Sequence, residues 1–433
     1  MPRPFLLISY FYPPFQSVGA LRVSKLSKHL PGFGWQPTIL TVANDTAPAT
    51  MPVEVPAEWI HRARMLDVNI LPKLVLGRRR IAEQGFWSVG SNPSGRLLAD
   101  VGRLYRDLVN FPDGQVGWFP FALSRALQLV HTARPELIYT SSMPATSHLL
   151  GAVLARRFGI PWIAEFRDPW TDGPAYNRSS PLAAMERRLE AMTLASAKAI
   201  VGVTPETVDW LGNRFGKPSF LVPNGFDPED ALNDTPLTPQ FTMTFTGMVY
   251  PGKQTLQPLF AALAELRGQG AIPRGFIVRL VGRHVAAFSE EAAAAGVADL
   301  IMVMPQVSRR ESLRLQAEST VLLLPLWTDE QRGSWYPAKM FEYMASRRPI
   351  LAVGPHSNEA ARLLTSRSAG WVASTPSDVI PLLRGWFSQA ARGGTSAIEP
   401  GVLLDEYRRE RCVERLAHVF DAFALGPGSG GAA

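Results

Sequence analysis

The sequence predicts an α/β protein made of two doubly wound, Rossmann-like domains that face a cleft. Short apolar strands alternate with amphipathic helices through both halves of the chain. The strands read as continuous apolar runs, which is typical of parallel strands buried on both faces. The length of 433 residues also exceeds that of one ordinary domain. These three observations together favour two α/β domains over one.

The predicted domain boundary is a polar, turn-forming segment, residues 223–240, which begins Pro-Asn-Gly-Phe-Asp. It separates an N-terminal domain, residues 1–222, from a C-terminal domain, residues 241–402. A final helix is predicted within residues 403–425, and the Gly/Ser/Ala-rich tail, residues 426–433, is expected to be disordered.

Composition excludes several classes of protein. Hydrophobic residues make up 46% of the chain and charged residues 19%, which fits a globular protein with substantial cores. The single cysteine, Cys412, excludes internal disulfides and a cysteine-rich metal site.

Pro13 and Pro14 end the apolar N-terminal run, so that run predicts a strand and not a signal peptide. No run approaches the roughly 18 apolar residues of a membrane span, so we expect a cytoplasmic protein, soluble or peripheral at the inner face of the cytoplasmic membrane.

A basic insertion, residues 45–115, interrupts the N-terminal domain. The chain carries a formal charge of +7, and residues 61–110 alone hold nine Lys/Arg against four Asp/Glu. Apolar residues are interleaved with these cations, among which are Arg78, Arg79 and Arg80. The mixture suits an anionic membrane surface, and it equally suits a solvated insertion whose apolar residues fold back on the core. No nucleic-acid motif accompanies the charge, so no nucleic-acid partner is expected.

The N-terminal domain opens with a strand, a loop that contains Gly19, a helix and a second strand. Such a loop lies at the carboxyl end of a parallel strand, where α/β proteins bind ligands. One glycine falls short of the multi-glycine dinucleotide fingerprint, which argues against an NAD enzyme. On pattern alone, Gly19 is equally explained by a tight turn.

Arg167 and Asp168 directly follow the apolar strand at residues 161–166. Both charges need partners where that strand stops. Two interpretations remain open: a site in a cleft, or an internal ion pair that holds the next loop. His148 falls inside a helix predicted at residues 146–158, and we do not assign it to catalysis.

The C-terminal domain contains the most informative motif, in which Pro337 opens a helix and Lys339 and Glu342 follow. Residues three apart share one helical face, so an ammonium and a carboxylate can serve one ligand. The ammonium suits an anion, and the carboxylate suits sugar hydroxyls. An ordinary surface ion pair is the alternative. Two further cations, Lys253 and Arg283, follow other strands of this domain.

Three motifs together resemble GT-B glycosyltransferases, in particular the retaining family four and its surface-polysaccharide subgroup. They are Pro337 to Ala345, Pro223 to Asp227 and Arg167 to Trp170. The resemblance implies that the C-terminal domain binds the nucleotide-sugar and that the last helix crosses back to the N-terminal domain. It further implies that Glu342 holds the ribose and that Gly19 approaches the pyrophosphate.

The chain departs from this family at two positions. Ser334 stands where many relatives have a glutamate, which leaves the donor sugar open. Met248 stands where many relatives have an arginine, so Lys253 or Arg283 would have to replace that cation beside Lys339.

The resemblance implies transfer of a sugar from a UDP- or GDP-type donor to a hydroxyl of a glycan or lipid-linked acceptor, with retention of the anomeric configuration. Lys339 would stabilise the departing diphosphate. Asp168 is our candidate to accept the acceptor's proton, and the leaving phosphate is the alternative. No Asp-x-Asp pair occurs, so neither a metal nor another cofactor is expected. Two rival hypotheses are a sugar-nucleotide epimerase of the same fold and a non-catalytic binding subunit of a polysaccharide assembly.

Overall fold

The computed structural model describes residues 2–15, 17–68, 107–172, 180–232, 234–329, 336–395, 401 and 404–424. The chain divides into two compact units. Unit 1 comprises Met1–Val222 and Val413–Ala433, and unit 2 comprises Pro223–Cys412.

Unit 1 is built on a parallel sheet of seven strands in the order β3-β2-β1-β4-β5-β6-β7. The strands are β1 (Arg3–Ser9), β2 (Trp35–Val42), β3 (Ile60–Ala63), β4 (Leu137–Ser142), β5 (Trp162–Phe166), β6 (Ala199–Gly202) and β7 (Ser219–Leu221). The strand order reverses direction between β1 and β4, and this switch point is where a doubly wound sheet binds ligands.

Helices cover the sheet of unit 1. They are α1 (Val18–His29), α2 (Phe119–Ala133), α3 (Thr146–Phe158), α4 (Ser180–Leu194) and α5 (Pro205–Phe215). Several of them carry the N-terminal signals that the sequence shows; for example, Thr204 caps α5 through a bond from the Thr207 amide, and Pro205 follows it.

Unit 2 repeats the same topology with six parallel strands in the order β10-β9-β8-β11-β12-β13. The strands are β8 (Thr242–Met248), β9 (Ile277–Arg283), β10 (Ile301–Met304), β11 (Val321–Pro325), β12 (Ile350–Val353) and β13 (Trp371–Ala373). The helices are α6 (Gln257–Gly268), α7 (Ala286–Ala294), α8 (Arg309–Ala317), α9 (Ala338–Ala345), α10 (Glu359–Ser366) and α11 (Pro376–Gly393). Here the switch point lies between β8 and β11.

The last helix, α12 (Arg409–Phe423), begins in unit 2 and ends in unit 1. Its Phe420 ring packs on the sheet of unit 1, with ring centroids 5.1 Å from Phe5, 5.3 Å from Trp35 and 5.2 Å from Tyr139. The side chain of Phe420 is fully buried, so the helix supplies part of the core of unit 1.

The predicted α/β class and the doubly wound parallel sheets are confirmed. The structure adds a strand that the sequence did not predict, since β3 lies within the basic insertion and pairs with β2 from Ile39–Ile60 to Val42–Ala63. Its residues, Ile-His-Arg-Ala, are only partly apolar, as befits an edge strand. Arg78, Arg79 and Arg80 lie outside the described residues, as does the predicted disordered tail. Among the described helices, none has both the length and the apolar character that a membrane crossing requires.

Candidate functional site

Strands β8 and β9 each carry a glycine one residue before their carboxyl ends. Gly247 and Gly282 are neighbours in the register of the two strands, and both have positive φ, +135° and +136°. A side chain on Gly282 would lie 1.8 Å from the Gly247 carbonyl oxygen. Only glycine fits this conformation and this close approach. At this pair of residues the edge of the sheet is therefore bare backbone, and β8 borders the switch point.

Lys339, in the first turn of α9, lies over this bare edge. Its Nζ is 4.1 Å from the centroid of the Phe245 ring, and a Cβ on Gly247 would come within 2.6 Å of the same Nζ. The ammonium thus rests on an aromatic face. Burial lowers the pKa of Lys339 to about 7, against the opposing effect of Glu342. Among the described residues, Lys339 has no hydrogen-bonding partner, so its N–H groups remain available to an anion.

Helix α9 is fastened to the end of β8 by hydrogen bonds. The amide of Thr246 donates to the Tyr343 hydroxyl at 3.1 Å, and Gln316 Nε2 of α8 donates to Thr246 Oγ1 at 2.9 Å. Pro337 is the N-cap residue of α9, with φ −56° and ψ 128°. The first turn of α9 therefore has a fixed place at the switch point, and the sequence prediction of a helix opened by Pro337 agrees with it.

Glu342 lies one turn beyond Lys339 and has two side-chain partners in unit 2. Arg309 Nη2 is 3.3 Å from Glu342 Oε1, and Gln316 Nε2 is 3.5 Å from Glu342 Oε2. Asp230 binds the same guanidinium group, with Arg309 Nη2 3.2 Å from Asp230 Oδ2. Glu342 is thus part of a network and is not a surface ion pair with Lys339.

A pocket next to Glu342 lies among α8, α9 and the segment that the sequence predicts as a linker. Three carboxylates and two guanidinium groups line it together with apolar side chains. The charged lining residues are Asp227, Asp230, Glu342, Arg309 and Arg409. The charged side chains therefore lie next to one another beside an apolar wall.

Arg309 and Gln316 were missed by sequence reasoning, although a signal for Arg309 exists. Arg309 and Arg310 stand in the first turn of α8, where the helix dipole disfavours cations and where Glu311 is the more usual kind of residue. A residue whose charge is unfavourable at its position in the helix often has a partner elsewhere in the fold. Gln316 carries no comparable signal.

Lys253 and Arg283, the predicted replacement cations, are both solvent-exposed. Arg283 ends β9 opposite Met248, and its carbonyl accepts a bond from the Val249 amide at 3.0 Å. Lys253 lies in the turn after β8, where its carbonyl accepts from the Thr328 amide at 2.9 Å. Neither side chain has a hydrogen-bonding partner among the described residues, and their donor-binding role stays a prediction. Ser334 lies outside the described residues.

In unit 1, Arg167 is held by the backbone that follows β4. Its Nε donates to the Ser142 carbonyl at 2.6 Å, and its Nη2 donates to the Met143 carbonyl. The guanidinium lies against Gly19 in the first turn of α1, where a Cβ would come within 1.8 Å of Arg167 Nη1. A larger residue at position 19 would clash with Arg167, so packing alone accounts for this glycine. Its predicted approach to a pyrophosphate stays a prediction.

Asp168 follows Arg167 and is partly buried. Burial raises the pKa of its carboxyl, and the charge of Arg167 opposes that shift. Among the described residues, Asp168 has no hydrogen-bonding partner. A carboxylate with a raised pKa is a better proton acceptor, which agrees with the role predicted for Asp168 without testing it.

The loop that carries Asp168 is anchored by two buried carboxylates that sequence reasoning missed. Trp170 Nε1 donates to Glu186 at 2.8 Å, and Thr171 Oγ1 donates to Glu190 at 2.6 Å. Glu186 and Glu190 are four apart on α4, so both face the loop. Burial raises the pKa of Glu190 to about 7. In the sequence, these acids look like the polar residues of any amphipathic helix.

His148 is fully buried in α3, where its Nδ1 is 2.7 Å from Thr140 Oγ1. Burial lowers the pKa of His148 to about 3, so the ring is neutral at physiological pH. No group of three or more His, Cys, Asp or Glu residues in the described ranges is arranged to hold a metal ion.

Comparisons with known proteins agree with this architecture. Residues 75–230 match the family model of Glycosyltransferase Family 4. No curated protein sequence matches the chain. Among solved structures, sucrose-phosphate synthase from Thermosynechococcus elongatus aligns over 97% of this chain and 98% of its own, with a TM-score of 0.56 and 14% identity.

Two further structures align over nearly the whole chain. HepE from Anabaena, solved in complex with UDP and glucose, covers 97% of this chain and all of its own, with a TM-score of 0.61 and 11% identity. The lipopolysaccharide outer core galactosyltransferase WaaB covers 97% of this chain and 99% of its own, with a TM-score of 0.54 and 10% identity. The chain has the GT-B fold, and the family match confirms the predicted resemblance to family four over residues 75–230.

Proposed function

We propose that this protein is a glycosyltransferase that moves a sugar from a nucleoside-diphosphate sugar to an acceptor hydroxyl with retention of anomeric configuration. The match to Glycosyltransferase Family 4 and the GT-B fold support the general activity. HepE, a protein of the same fold, was solved with UDP and with UDP-glucose, which supports a donor of the UDP type. A GDP-type donor is the other member of the proposed class.

One observation carries the proposal. The Lys339 ammonium lies over the bare backbone of Gly247, at the switch point of a doubly wound sheet, with the Glu342 carboxylate one turn away. A cation at this place suits a diphosphate, and a carboxylate next to it suits the ribose diol that the same ligand carries. A surface Lys–Glu pair would need neither the glycine backbone nor the aromatic face of Phe245.

The chemistry breaks the bond between the anomeric carbon and the diphosphate oxygen and forms a bond from that carbon to the acceptor oxygen. Negative charge grows on the departing diphosphate, and Lys339, the N–H groups at the start of α9, and Lys253 or Arg283 would stabilise it. These groups act without a metal or another cofactor. Because Lys339 is partly desolvated, its interaction with that charge is stronger than it would be in water.

The acceptor oxygen must lose its proton during transfer. We assign Asp168 to this step because its pKa is raised by burial, with Arg167 beside it on the acceptor side. A phosphate oxygen of the leaving diphosphate is the alternative proton acceptor. Glu186 and Glu190 would then position the loop that bears Asp168.

We further propose a glycan or lipid-linked acceptor, in the synthesis of a cell-surface polysaccharide or glycolipid. The Arg167 to Trp170 motif supports this assignment, and the similar fold of WaaB, whose name places it in lipopolysaccharide outer core synthesis, is compatible with it. The enzyme would act in the cytoplasm or at the inner face of the cytoplasmic membrane, where the basic insertion would meet anionic lipids.

The test begins with a thermal-shift screen of UDP- and GDP-sugars, because a ligand that prefers the folded state raises the melting temperature. The donors found are then incubated with glycan and lipid-linked acceptors, and diphosphate release and product configuration are measured. Lys339→Ala should reduce diphosphate affinity and transfer by about a hundredfold while leaving the fold intact. Lys198→Ala, an exposed lysine of unit 1, is the matched control. Unchanged turnover in Lys339→Ala removes this residue from the site.

The same experiment separates the rival functions. An epimerase would convert the nucleotide-sugar in the absence of any acceptor. A non-catalytic subunit would bind the nucleotide-sugar but release no diphosphate with any acceptor. Acceptor-dependent release of diphosphate excludes both.

A further inference from the structure

The guanidinium of Arg309 is shared by two carboxylates that come from different parts of unit 2. Nη1 and Nη2 are both 3.2 Å from Asp230 Oδ2, and Nη2 is also 3.3 Å from Glu342 Oε1. Asp230 belongs to a short 3-10 turn, Pro228–Asp230, and Glu342 to α9. The three side chains are 23–30% exposed, so water screens the network only in part.

This network fixes the plane of the Glu342 carboxylate. Arg309 occupies one oxygen and Gln316 approaches the other, while the outer lone pair of each oxygen stays available. A carboxylate has about four acceptor positions, so two remain for the hydroxyls of a vicinal diol. The arrangement orients Glu342 for a diol without blocking it.

The same side chains offer further bonding capacity toward the pocket. Gln316 is fully buried, and its Oε1 has no hydrogen-bonding partner among the described residues. Within the described part of the chain, Arg309 Nε is likewise buried and unbonded. Both residues line the pocket next to Glu342. Unbonded buried polar atoms are rare in proteins, and a bound water or ion is one explanation for them.

Arg309 also controls the charge of the pocket. With Arg309 present, three carboxylates are offset by two guanidinium groups. Without it, three carboxylates would be offset by one guanidinium, and like charges at short range repel, so the Glu342 carboxylate would lose its present orientation.

We propose that Arg309 is a positioning residue for donor binding, which holds the Glu342 carboxylate in the orientation that accepts the ribose hydroxyls. This inference rests on the proposed function, since it names how one ligand-binding group of that site is oriented. Arg309 acts through Glu342 and does not itself touch the reacting atoms.

The experiment compares three ligands, UDP, GDP and inorganic pyrophosphate, by isothermal titration calorimetry. Arg309→Gln should weaken the nucleoside diphosphate that the wild type binds by about tenfold, as expected for a lost charge-assisted contact. Pyrophosphate has no ribose, so its affinity should change less than about twofold. Arg310→Gln makes the same charge change at the next residue, which is exposed, and should leave all affinities as in the wild type.

Two additional variants test whether Arg309 affects nucleotide affinity through Glu342. Glu342→Gln should weaken the nucleotide by itself, and adding Arg309→Gln should then have little further effect, because the two residues act as one unit. Arg309→Lys keeps the charge but cannot bridge two carboxylates as a planar guanidinium does, so it should recover only part of the affinity. In steady-state transfer, Arg309→Gln should raise KM for the donor and change kcat little.

The outcomes are distinguishable. If the wild type binds neither UDP nor GDP, both the proposed function and this inference are overturned. If the wild type and Glu342→Gln behave as expected but Arg309→Gln equals Arg310→Gln, this inference alone fails. Equal losses for nucleotide and pyrophosphate in Arg309→Gln would also overturn it, since they indicate a general charge effect. Should Arg309→Gln fail to fold, Arg309→Lys takes its place in the same comparison.

Discussion

The two sheets of this protein share one topology but use a cation differently at their switch points. In unit 1, the Arg167 guanidinium donates to two backbone carbonyls and lies against Gly19. In unit 2, the Lys339 ammonium lies over Gly247 and the Phe245 ring, with no hydrogen-bonding partner among the described residues. Both sheets therefore have a cation at the switch point. Its contacts determine whether it holds backbone in place or stays available to a ligand.

The difference follows from the chemistry of the two side chains. A planar guanidinium has five N–H donors in a fixed fork and can bind two neighbouring carbonyls at once. A lysine ammonium is a compact charge on a flexible stem, and burial readily lowers its pKa. Arg167 accordingly stabilises a loop, whereas Lys339 keeps its bonding capacity for a ligand. The comparison predicts that a substitution beside the cation reduces stability more in unit 1 and diphosphate affinity more in unit 2.

The largest effects are expected from alanine at the two glycines. Gly19→Ala would displace the Arg167 guanidinium and break its two charge-assisted bonds, which should lower the free energy of unfolding by about 2–4 kcal/mol. Gly247→Ala places a side chain at φ +135° beside Lys339 Nζ, which should lower that free energy by about 1–3 kcal/mol and diphosphate affinity by about tenfold. Urea unfolding and calorimetry with UDP and GDP measure both quantities.

The diphosphate affinities of the two glycine variants distinguish the roles of the two glycines. Gly19→Ala leaves diphosphate affinity unchanged if Arg167 alone fills the space beside this glycine. A loss of affinity in Gly19→Ala as large as that in Gly247→Ala would instead support the pyrophosphate contact that the sequence predicts for Gly19.

An intermediate effect is expected from the pH dependence of Lys339. Its folded pKa, about 7, lies below that of an unfolded lysine, so between pH 7 and about 10 the unfolded state binds more protons and stability rises with pH. Lys339→Met removes this destabilisation and should raise the free energy of unfolding at pH 7 by about 2 kcal/mol, less at pH 10. A diphosphate restores the charge on Lys339, so binding near pH 8 should take up a proton, which calorimetry in buffers of different ionisation enthalpy detects.

The smallest effect is expected at Glu190 in unit 1. Its folded pKa of about 7 exceeds that of an unfolded glutamate, so its contribution to stability is full below about pH 4.5 and is lost as pH rises through 7. Glu190→Gln keeps the acceptor for Thr171 and should flatten this dependence by about 1 kcal/mol between pH 5 and 8. Thermal unfolding of both proteins across this range measures it. An identical pH dependence would place the titration elsewhere.

Sequence reasoning predicted the sheets because apolar runs and helical periodicity are local signals. It proposed Lys339 and Glu342 on two grounds: their spacing of three places them on one helical face, and their segment resembles the donor-binding segment of family four. On the spacing alone, sequence reasoning also allowed a surface ion pair. It could not predict that Arg167 packs on Gly19, 148 positions earlier, or that Arg309 reaches Glu342, 33 positions later, because no short pattern links them. It also missed β3, whose His61 and Arg62 do not resemble a buried strand.

Helix α12 is divided between the two units, so unit 1 depends on residues that follow unit 2 in the chain. Phe420 closes an aromatic layer with Phe5, Trp35 and Tyr139, all four of which are fully buried. A polypeptide that stops at Val222 would leave three large rings facing water, an exposed patch that favours self-association. The N-terminal unit is thus completed by residues that follow unit 2 in the chain, so it cannot reach its final packing before unit 2 has been synthesised.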